Sequence, residues 1–148
     1  MGNEDHILIS LTPRHAANIF AGSKTVELRR RTMHIAPGTT AWIYVKLPVG
    51  AIIGNIQVKA VHSLSPTTLW RRFSKVSGLS KSEFFDYFSG ITKGTALELE
   101  SPHTLQTPLS LKHLRKTVEN FQPPQFFTRL TDKSPVLKAI TAEISQGK

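Results

Sequence analysis

Residues 6–31 read HILISLTPRHAANIFAGSKTVELRRR, and the hydrophobic pattern of this stretch changes twice along its length. Its first six residues are apolar and β-branched enough to predict a strand. Thr12 then offers a side-chain oxygen for a helix N-cap, Pro13 suits the first helical position, and Gly22 can adopt the left-handed conformation that ends a helix. The sequence therefore predicts a strand followed by a helix over residues 13–21.

The residues after this helix have a period of two, which predicts a second strand beginning near Lys24. Alternate positions face the core, and Thr25, Glu27 and Arg29 share the opposite face at intervals of about 6 to 7 Å. Glu27 is unusual there because a run of three arginines, residues 29–31, follows it. A carboxylate between cations on an open strand face either neutralises local repulsion or is a working group in a basic cleft.

A second alternating pattern, AWIYVKL at residues 41–47, predicts a strand with Trp42, Tyr44 and Lys46 on one face. If that face lines a cleft, two aromatic rings and a cation suit stacking on a nucleobase. The alternative is that Trp42 and Tyr44 are core residues of a barrel. The pattern fits both interpretations.

The rest of the chain alternates between strand and helix patterns. Residues 50–64 are β-rich, and Gly54 within them is typical of a bulge. Ser80 and Glu83 have the spacing of a capping box at the start of a short helix, which gives Glu83 a structural role. Further patterns predict a helix opening at Ser65 and Pro66, a strand at residues 94–100, a helix capped by Ser110, a last strand at FFTRL (residues 126–130) and a helix over residues 134–145.

Positive charge is the strongest signal in the composition. The 148 residues include 19 Lys and Arg against 10 Asp and Glu, a net charge of +9. Residues 6–82 contain 11 Lys and Arg, and Glu27 is the only Asp or Glu among them. A surface this basic favours a polyanionic partner, although solubility alone is an alternative explanation.

The composition also excludes several classes of site. The chain has no cysteine, so disulfides, thiolate chemistry and cysteine metal sites are excluded. The six histidines lack the short paired spacings of zinc sites, and we expect neither a metal nor a cofactor. The apolar runs are far shorter than the roughly 20 residues that cross a bilayer, and no signal-peptide pattern opens the sequence. We therefore expect a cytoplasmic protein with no membrane partner.

Several stretches of the chain resemble those of a known family. They are ILISLTPRHAANIFAGSKTVELRRR, SPTTLW, GLSKSEFFDYFSG and the PLSL and PPQFF segments. Together they resemble an ASCH domain protein of the PUA-like superfamily, in the group of stand-alone PUA-like predicted regulators. The resemblance implies an α+β fold, a small mixed β-barrel with flanking short helices, over residues 1–130. A helical C-terminal extension would follow over residues 131–148.

The resemblance also implies a cleft, lined by the K-x-x-E-x-R strand, that receives RNA or a modified base. Acetylcytidine amidohydrolases of the superfamily use a lysine, a threonine nucleophile three residues later and a glutamate further along. Lys24 matches the lysine, but Glu27 stands in the place of the nucleophile. Ser77 or Gly78 falls where the second carboxylate is expected. The hydrolase activity therefore does not transfer directly to this chain.

Three hypotheses follow. In the first, the chain is a binding module for RNA, a nucleotide or a modified nucleoside, with DNA as a further option. In the second, it is a hydrolase, either a ribonuclease or acetylcytidine amidohydrolase-like, with Lys24 and Glu27 as the catalytic residues. In the third, Glu27 only clamps the strand. The ligand-binding residues predicted by the first hypothesis are Lys24, Thr25, Glu27, Arg29, Arg30, Arg31, Trp42, Tyr44 and Lys46.

Overall fold

Six strands and five α-helices make up the part of the chain that the computed structural model describes, residues 5–146. All the predicted strands and helices are present in the predicted order. Along the chain the elements are β1 (His6–Leu11), α1 (Pro13–Ala21), β2 (Val26–Arg29), β3 (Thr40–Val45), β4 (Ala51–Leu64), α2 (Pro66–Phe73), a 3₁₀ turn (Ser74–Val76), α3 (Lys81–Tyr87), β5 (Gly94–Ser110), α4 (Leu111–Thr117), β6 (Phe127–Leu130) and α5 (Pro135–Gln146).

The strands form one mixed sheet that curls into half a barrel, in the order β2-β5-β4-β3-β1-β6. β1 and β3 run parallel, and the other neighbouring pairs are antiparallel. α1 and β2 lie between β1 and β3 in the chain and provide the long crossover that parallel strands require. The predicted α+β class with a barrel-like sheet and flanking short helices is confirmed.

The ends of α1 follow the sequence signals with one exception. Pro13 lies in the first turn, and Gly22 ends the helix with φ at 88°, a conformation that strains residues with a Cβ. Thr12 has the extended backbone of an N-cap residue, but its side chain accepts no capping hydrogen bond. The capping role predicted for the Thr12 side chain is therefore wrong, and Pro13 and Gly22 set the bounds of the helix.

The capping box predicted at the start of α3 is confirmed. The Ser80 hydroxyl accepts a hydrogen bond from the backbone N–H of Glu83 at 3.2 Å. In return, Oε1 of Glu83 accepts one from the backbone N–H of Ser80 at 2.9 Å. The backbone N–H groups of Ser80 and Glu83 would otherwise lack acceptors at the start of the helix, so the capping box fixes where α3 begins.

Alternation along β3 divides its side chains between two core clusters. Ile43 and Val45 pack in the cluster that contains Ile19 of α1. Trp42 and Tyr44 pack in the other cluster, which is covered by residues of α4 and α5. The predicted division of the strand into two faces is correct, and both faces are buried.

β4 and β5 are long strands whose pairing is interrupted near Gly54. The register of β4 shifts there against both β3 and β5, which confirms the predicted bulge. β5 is longer than the predicted strand at residues 94–100, because it continues to Ser110 in pairing with the first part of β4. This second half was missed since its two prolines are atypical of a strand.

The C-terminal region predicted to be helical contains α5. Val136 and Ile140 of this helix are buried and share a core cluster with Leu8 of β1. The outer limits predicted for the two domains, residues 1 and 148, lie outside the described residues, and the boundary at residue 130 stays a prediction. Within the described range, the helices are too short or too polar to span a bilayer.

The bulge generates the first testable prediction. A Cβ built on Gly54 lies 2.2 Å from the carbonyl oxygen of His103 and 2.9 Å from the ring of Phe20. Because that carbonyl belongs to a paired strand, we expect Gly54→Ala to lower the free energy of unfolding by about 1 to 3 kcal/mol or more. Urea denaturation measures the loss, with Ser63→Ala at an exposed position of β4 as the control. Equal stability of the two variants would contradict the close approach.

Candidate functional site

A cavity of about 340 Å³ lies where β1 and β2 meet α1 and α3. We call it the Glu27 cavity. Charged and polar side chains form most of its wall, and they come from segments far apart in the sequence. Its lining residues are Ser10, Leu11, Thr12, Arg14, His15, Lys24, Glu27, Leu28, Arg29, Lys46, Leu79, Glu83 and Tyr87.

Lys24 is held beside this cavity by the turn that follows α1. Its backbone N–H donates to the carbonyl oxygen of Asn18 at 3.0 Å. Its side chain is 2% exposed, and Nζ lies 3.9 Å from Oε1 of Glu27. Nζ also donates a hydrogen bond to the carbonyl oxygen of Ser77. Burial lowers the pKa of Lys24 because the charged form loses hydration, and the Glu27 carboxylate opposes part of that shift.

The Glu27 carboxylate lies between two cations. Nε of Arg29 donates to Oε2 of Glu27 at 3.0 Å, and a terminal nitrogen of the guanidinium lies 2.9 Å from the same oxygen. That guanidinium also donates to the carbonyl oxygen of Ser10 at 3.2 Å, which ties Arg29 to β1. Oε1 of Glu27 points to the Lys24 side, beyond hydrogen-bond distance. One carboxylate oxygen is thus engaged by Arg29, and the other keeps capacity to accept a further hydrogen bond.

The three charged groups lie largely out of water. The side chains of Lys24, Glu27 and Arg29 are 2%, 10% and 13% exposed. Removing an ion from water costs about several kcal/mol, and pairing offsets this cost only when the geometry is good. Two cations around one carboxylate leave a net positive charge in the wall. Such an arrangement is poor for stability, and buried charged groups that line a cleft indicate a candidate functional site.

His15 is a cavity residue to which the sequence analysis gave no role. Its Nδ1 is buried and has no hydrogen-bond partner within residues 5–146. Burial and the nearby charge of Lys24 lower the pKa of His15. The ring is therefore neutral at pH 7 and can accept a proton. No local pattern could have identified His15, because the fold alone brings the first turn of α1 next to Lys24.

Arg14 was also missed, and it joins α1 to α3. Its guanidinium donates to both carboxylate oxygens of Glu83, at 2.6 and 3.0 Å, and to the carbonyl oxygen of Gly78 at 2.8 Å. The hydrogen bond from Arg14, followed by that from the backbone of Ser80, lowers the pKa of Glu83 to about 2. Glu83 therefore serves two structural purposes at once, as helix cap and as partner of Arg14.

Tyr87 of α3 completes one side of the cavity. Its hydroxyl donates to the carbonyl oxygen of Leu28 at 3.2 Å. Burial raises the pKa of Tyr87, so the phenol stays protonated at neutral pH. This hydrogen bond attaches α3 to β2.

The structure brings four of the predicted site residues together at the Glu27 cavity and two at a neighbouring one. The four are Lys24, Glu27, Arg29 and Lys46. The two are Arg30 and Arg31.

Three other predicted ligand-binding residues lie elsewhere. Thr25 is exposed and outside the cavity, because β2 begins only at Val26 and the strand alternation does not extend back to it. Trp42 and Tyr44 are 5% and 2% exposed. They lie in the core, in agreement with the alternative interpretation, because α4 and α5 cover their face of β3. Tyr44 also reaches another opening, beside Lys46.

The segment matched to the second carboxylate of the acetylcytidine amidohydrolases does adjoin Lys24. Ser77 is buried and supplies the carbonyl oxygen that Nζ of Lys24 contacts. A Cβ on Gly78 would lie 3.3 Å from Cδ of Lys24. The position therefore offers a neutral backbone acceptor where that chemistry requires an acid. Among the described residues, no group of three or more His, Asp or Glu side chains is placed to hold a metal ion.

The curled mixed sheet and the charged cavity beside it define a PUA-like domain of the α+β class. The chain is 36% identical over 138 residues to an ASCH domain-containing ribonuclease of Zymomonas mobilis subsp. mobilis, covering 93% of each chain. The chain belongs to the family of ASCH domain proteins. No protein-family model matches it.

Solved structures agree with this assignment. The crystal structure of ASCH from Zymomonas mobilis superposes with a TM-score of 0.84 at 36% identity, over 92% of this chain and 94% of that one. Human THYN1 protein, in complex with 5-methylcytosine containing DNA, gives a TM-score of 0.58 at 10% identity, over 95% of this chain and 98% of that one. The second likeness concerns the fold alone.

The Arg14–Glu83 pair leads to a prediction about pH. Because the pKa of Glu83 is lower in the folded protein than in the unfolded chain, the stability that it contributes is complete above about pH 4.5 and is lost as the pH falls toward 2. In Arg14→Ala we expect the pKa of Glu83 to rise toward its ordinary value. Carboxyl ¹³C titration by NMR measures this, with Lys112→Ala, at an exposed position of α4, as the control. An identical midpoint in the two variants would contradict the pairing.

Proposed function

We propose that this ASCH domain binds RNA at the Glu27 cavity and that Glu27 contacts the edge of a base there. The observation that carries the proposal is the largely buried carboxylate of Glu27 between Lys24 and Arg29, with one oxygen held by Arg29. The name of the Zymomonas mobilis relative supports RNA as the nucleic acid. The likeness to a DNA-bound protein concerns the fold alone. Binding of DNA in place of RNA is therefore measured as an alternative result in the experiments below.

The positive wall of the cavity supports a polyanionic ligand. Lys46 is exposed at the rim and makes no ion pair within the described chain, so its ammonium group is free to contact phosphate. A site flanked by buried cations with little water also focuses the field on an approaching anion. Phosphate contacts of this kind give affinity and orientation but carry no sequence information.

The free oxygen of Glu27 supports a contact with a base. A carboxylate accepts hydrogen bonds only, and the exocyclic amino group of cytosine is a donor that carboxylates recognise in nucleic acids. Uracil has an acceptor at the equivalent position, which a carboxylate repels. A volume of about 340 Å³ is sufficient for a single base. The geometry therefore favours cytosine over uracil in this cavity.

The proposal predicts the behaviour of Glu27→Gln. We expect wild-type protein to bind fluorescein-labelled oligo(C) more tightly than oligo(U), by about 1 to 3 kcal/mol. Glu27→Gln should lose most of that difference, because the amide can accept a hydrogen bond from cytosine and donate one to uracil. Fluorescence anisotropy gives both affinities. Glu100→Gln, an exposed acid on β5, is the matched control and keeps the wild-type ratio. If Glu27→Gln kept the wild-type ratio of oligo(C) to oligo(U) affinity, a contact between Glu27 and the base would be excluded.

Salt dependence tests the phosphate contacts separately. For a single strand, the logarithm of the binding constant falls with the logarithm of salt concentration by about 0.7 for each phosphate neutralised. We expect Lys46→Ala to reduce this slope by about one such contact for RNA of every sequence. Thermal melting shows whether the variant is folded. Affinity that is constant between low and moderate salt would contradict the electrostatic proposal, and equal binding of DNA would remove the preference for RNA.

Cleavage of RNA is a second candidate function, and two observations favour it. The relative with 36% identity is named a ribonuclease. In addition, the ring of His15, whose pKa is lowered by burial, lines the cavity together with the buried ammonium group of Lys24. The imidazole is suited to take a proton from a ribose hydroxyl, and Lys24 to stabilise charge that develops on the phosphate. One oxygen of Glu27 is engaged by Arg29, so we assign the role of general base to His15.

Turnover of labelled RNA tests this second candidate. We expect His15→Ala to lower the rate by about 100-fold to 10,000-fold while affinity changes little, since a general base acts in the transition state. His113→Ala, at an exposed position of α4, is the control. Cleavage by His15→Ala at the wild-type rate would remove His15 from the mechanism, and no cleavage by wild-type protein would leave a binding function alone.

A further inference from the structure

A second cavity, of about 550 Å³, adjoins the Glu27 cavity. We call it the arginine–aromatic cavity. The end of β2 and the segment after it form one side, α3 forms another, and the start of β6 closes the third. Its polar and aromatic lining residues are Arg29, Arg30, Arg31, Thr32, Tyr87, Phe126 and Phe127.

Phe126 presents an aromatic ring to this cavity. Its side chain is 47% exposed, and it lies outside the core clusters of the described chain. The neighbouring Phe127, in contrast, packs against the core. The guanidinium carbon of Arg31 lies 4.9 Å from the centre of the Phe126 ring. An exposed ring with a guanidinium over it is the pair of groups on which an unpaired nucleobase stacks.

Two of the three arginines of this cavity, Arg30 and Arg31, have no carboxylate partner among the described residues. Arg30 donates one hydrogen bond to the carbonyl oxygen of Tyr87 at 2.9 Å, which orients its guanidinium and leaves further donors. No Asp or Glu contributes to the cavity wall. The cavity therefore combines an aromatic plate with uncompensated positive charge, the chemistry that suits a nucleotide.

The two cavities share a wall. Arg29 and Tyr87 line both of them, and Arg29 is fixed by Glu27 on one side and by the carbonyl oxygen of Ser10 on the other. A strand that places one nucleotide in the Glu27 cavity can therefore continue into the arginine–aromatic cavity past a fixed guanidinium. A base in each cavity must be unstacked and unpaired, which a duplex does not allow.

We propose that the arginine–aromatic cavity binds the next nucleotide of a single-stranded RNA, with its base stacked on Phe126 and its phosphate held by Arg30 and Arg31. This inference rests on the proposed function of the Glu27 cavity, since that cavity holds the adjoining nucleotide. In this proposal Phe126 and Arg31 favour an oligonucleotide over a mononucleotide and single-stranded over duplex RNA. This role is distinct from the base contact of Glu27.

The test compares wild-type protein with Phe126→Ala on cytidine monophosphate, a short oligo(C), and the same oligo(C) annealed to its complement. Stacking accounts for about a 5- to 150-fold change in affinity per base. We expect Phe126→Ala to lose that factor for the single strand and to bind the mononucleotide as wild type does. Phe126→Trp should retain the affinity and Phe126→Leu should lose it. Ile144→Ala, an exposed apolar position on α5, is the control.

The outcomes separate this inference from the proposed function. If wild-type protein prefers oligo(C) to oligo(U) and Phe126→Ala binds the single strand equally well, the second cavity is not a nucleotide site although the first is. Equal loss in Phe126→Ala for mononucleotide and oligonucleotide would also overturn it, since the ring would then act on the first cavity. Duplex binding equal to single-strand binding would contradict the need for an unpaired base. If wild-type protein binds none of the probes, both proposals fail together.

Discussion

The ammonium group of Lys24 is buried beside the one carboxylate in a basic stretch of the chain, and the site is built around this constraint. The group needs acceptors, and it obtains a carbonyl oxygen from Ser77 and the charge of Glu27. The carbonyl belongs to the loop that follows α2 and the carboxylate to β2. Both segments must therefore lie against the turn that carries Lys24 if its ammonium group is to have these partners. Gly78, with φ at 74°, turns the loop tightly against the lysine stem. The same convergence shapes the cavity.

The cavity wall combines one largely buried acid, Glu27, with the two buried cations Lys24 and Arg29. A carboxylate in the wall weakens attraction for phosphate but adds an acceptor that a simple basic patch lacks. Arg29 fixes the orientation of that acid and is itself fixed by β1. Burial, and after it the nearby charge of Lys24, lower the pKa of His15.

Much of the fold could be predicted because its signals are local. The Ser80 capping box, Gly22 at the end of α1 and Gly54 at the bulge each act within a few residues or through backbone geometry. The prediction failed where neighbours decide the outcome. Thr25 was predicted to line the site from a strand alternation that in the structure begins one residue later, at Val26. Trp42 was predicted to face a cleft, but helices far along the chain cover its face of β3.

The sequence by itself determined the elements, their order, the excess of positive charge and the placement of one acid within it, because these depend on composition and short-range periodicity. Only the tertiary structure decided that Lys24 is buried, that Arg14 and His15 belong to the site, and that Phe126 lies beside the arginines that follow β2. The physical reason is distance along the chain. Lys24 meets a carbonyl 53 residues away and Arg14 a carboxylate 69 residues away. Contacts of that range leave no pattern in a single sequence, since they exist only once the sheet has curled and the helices have packed against it.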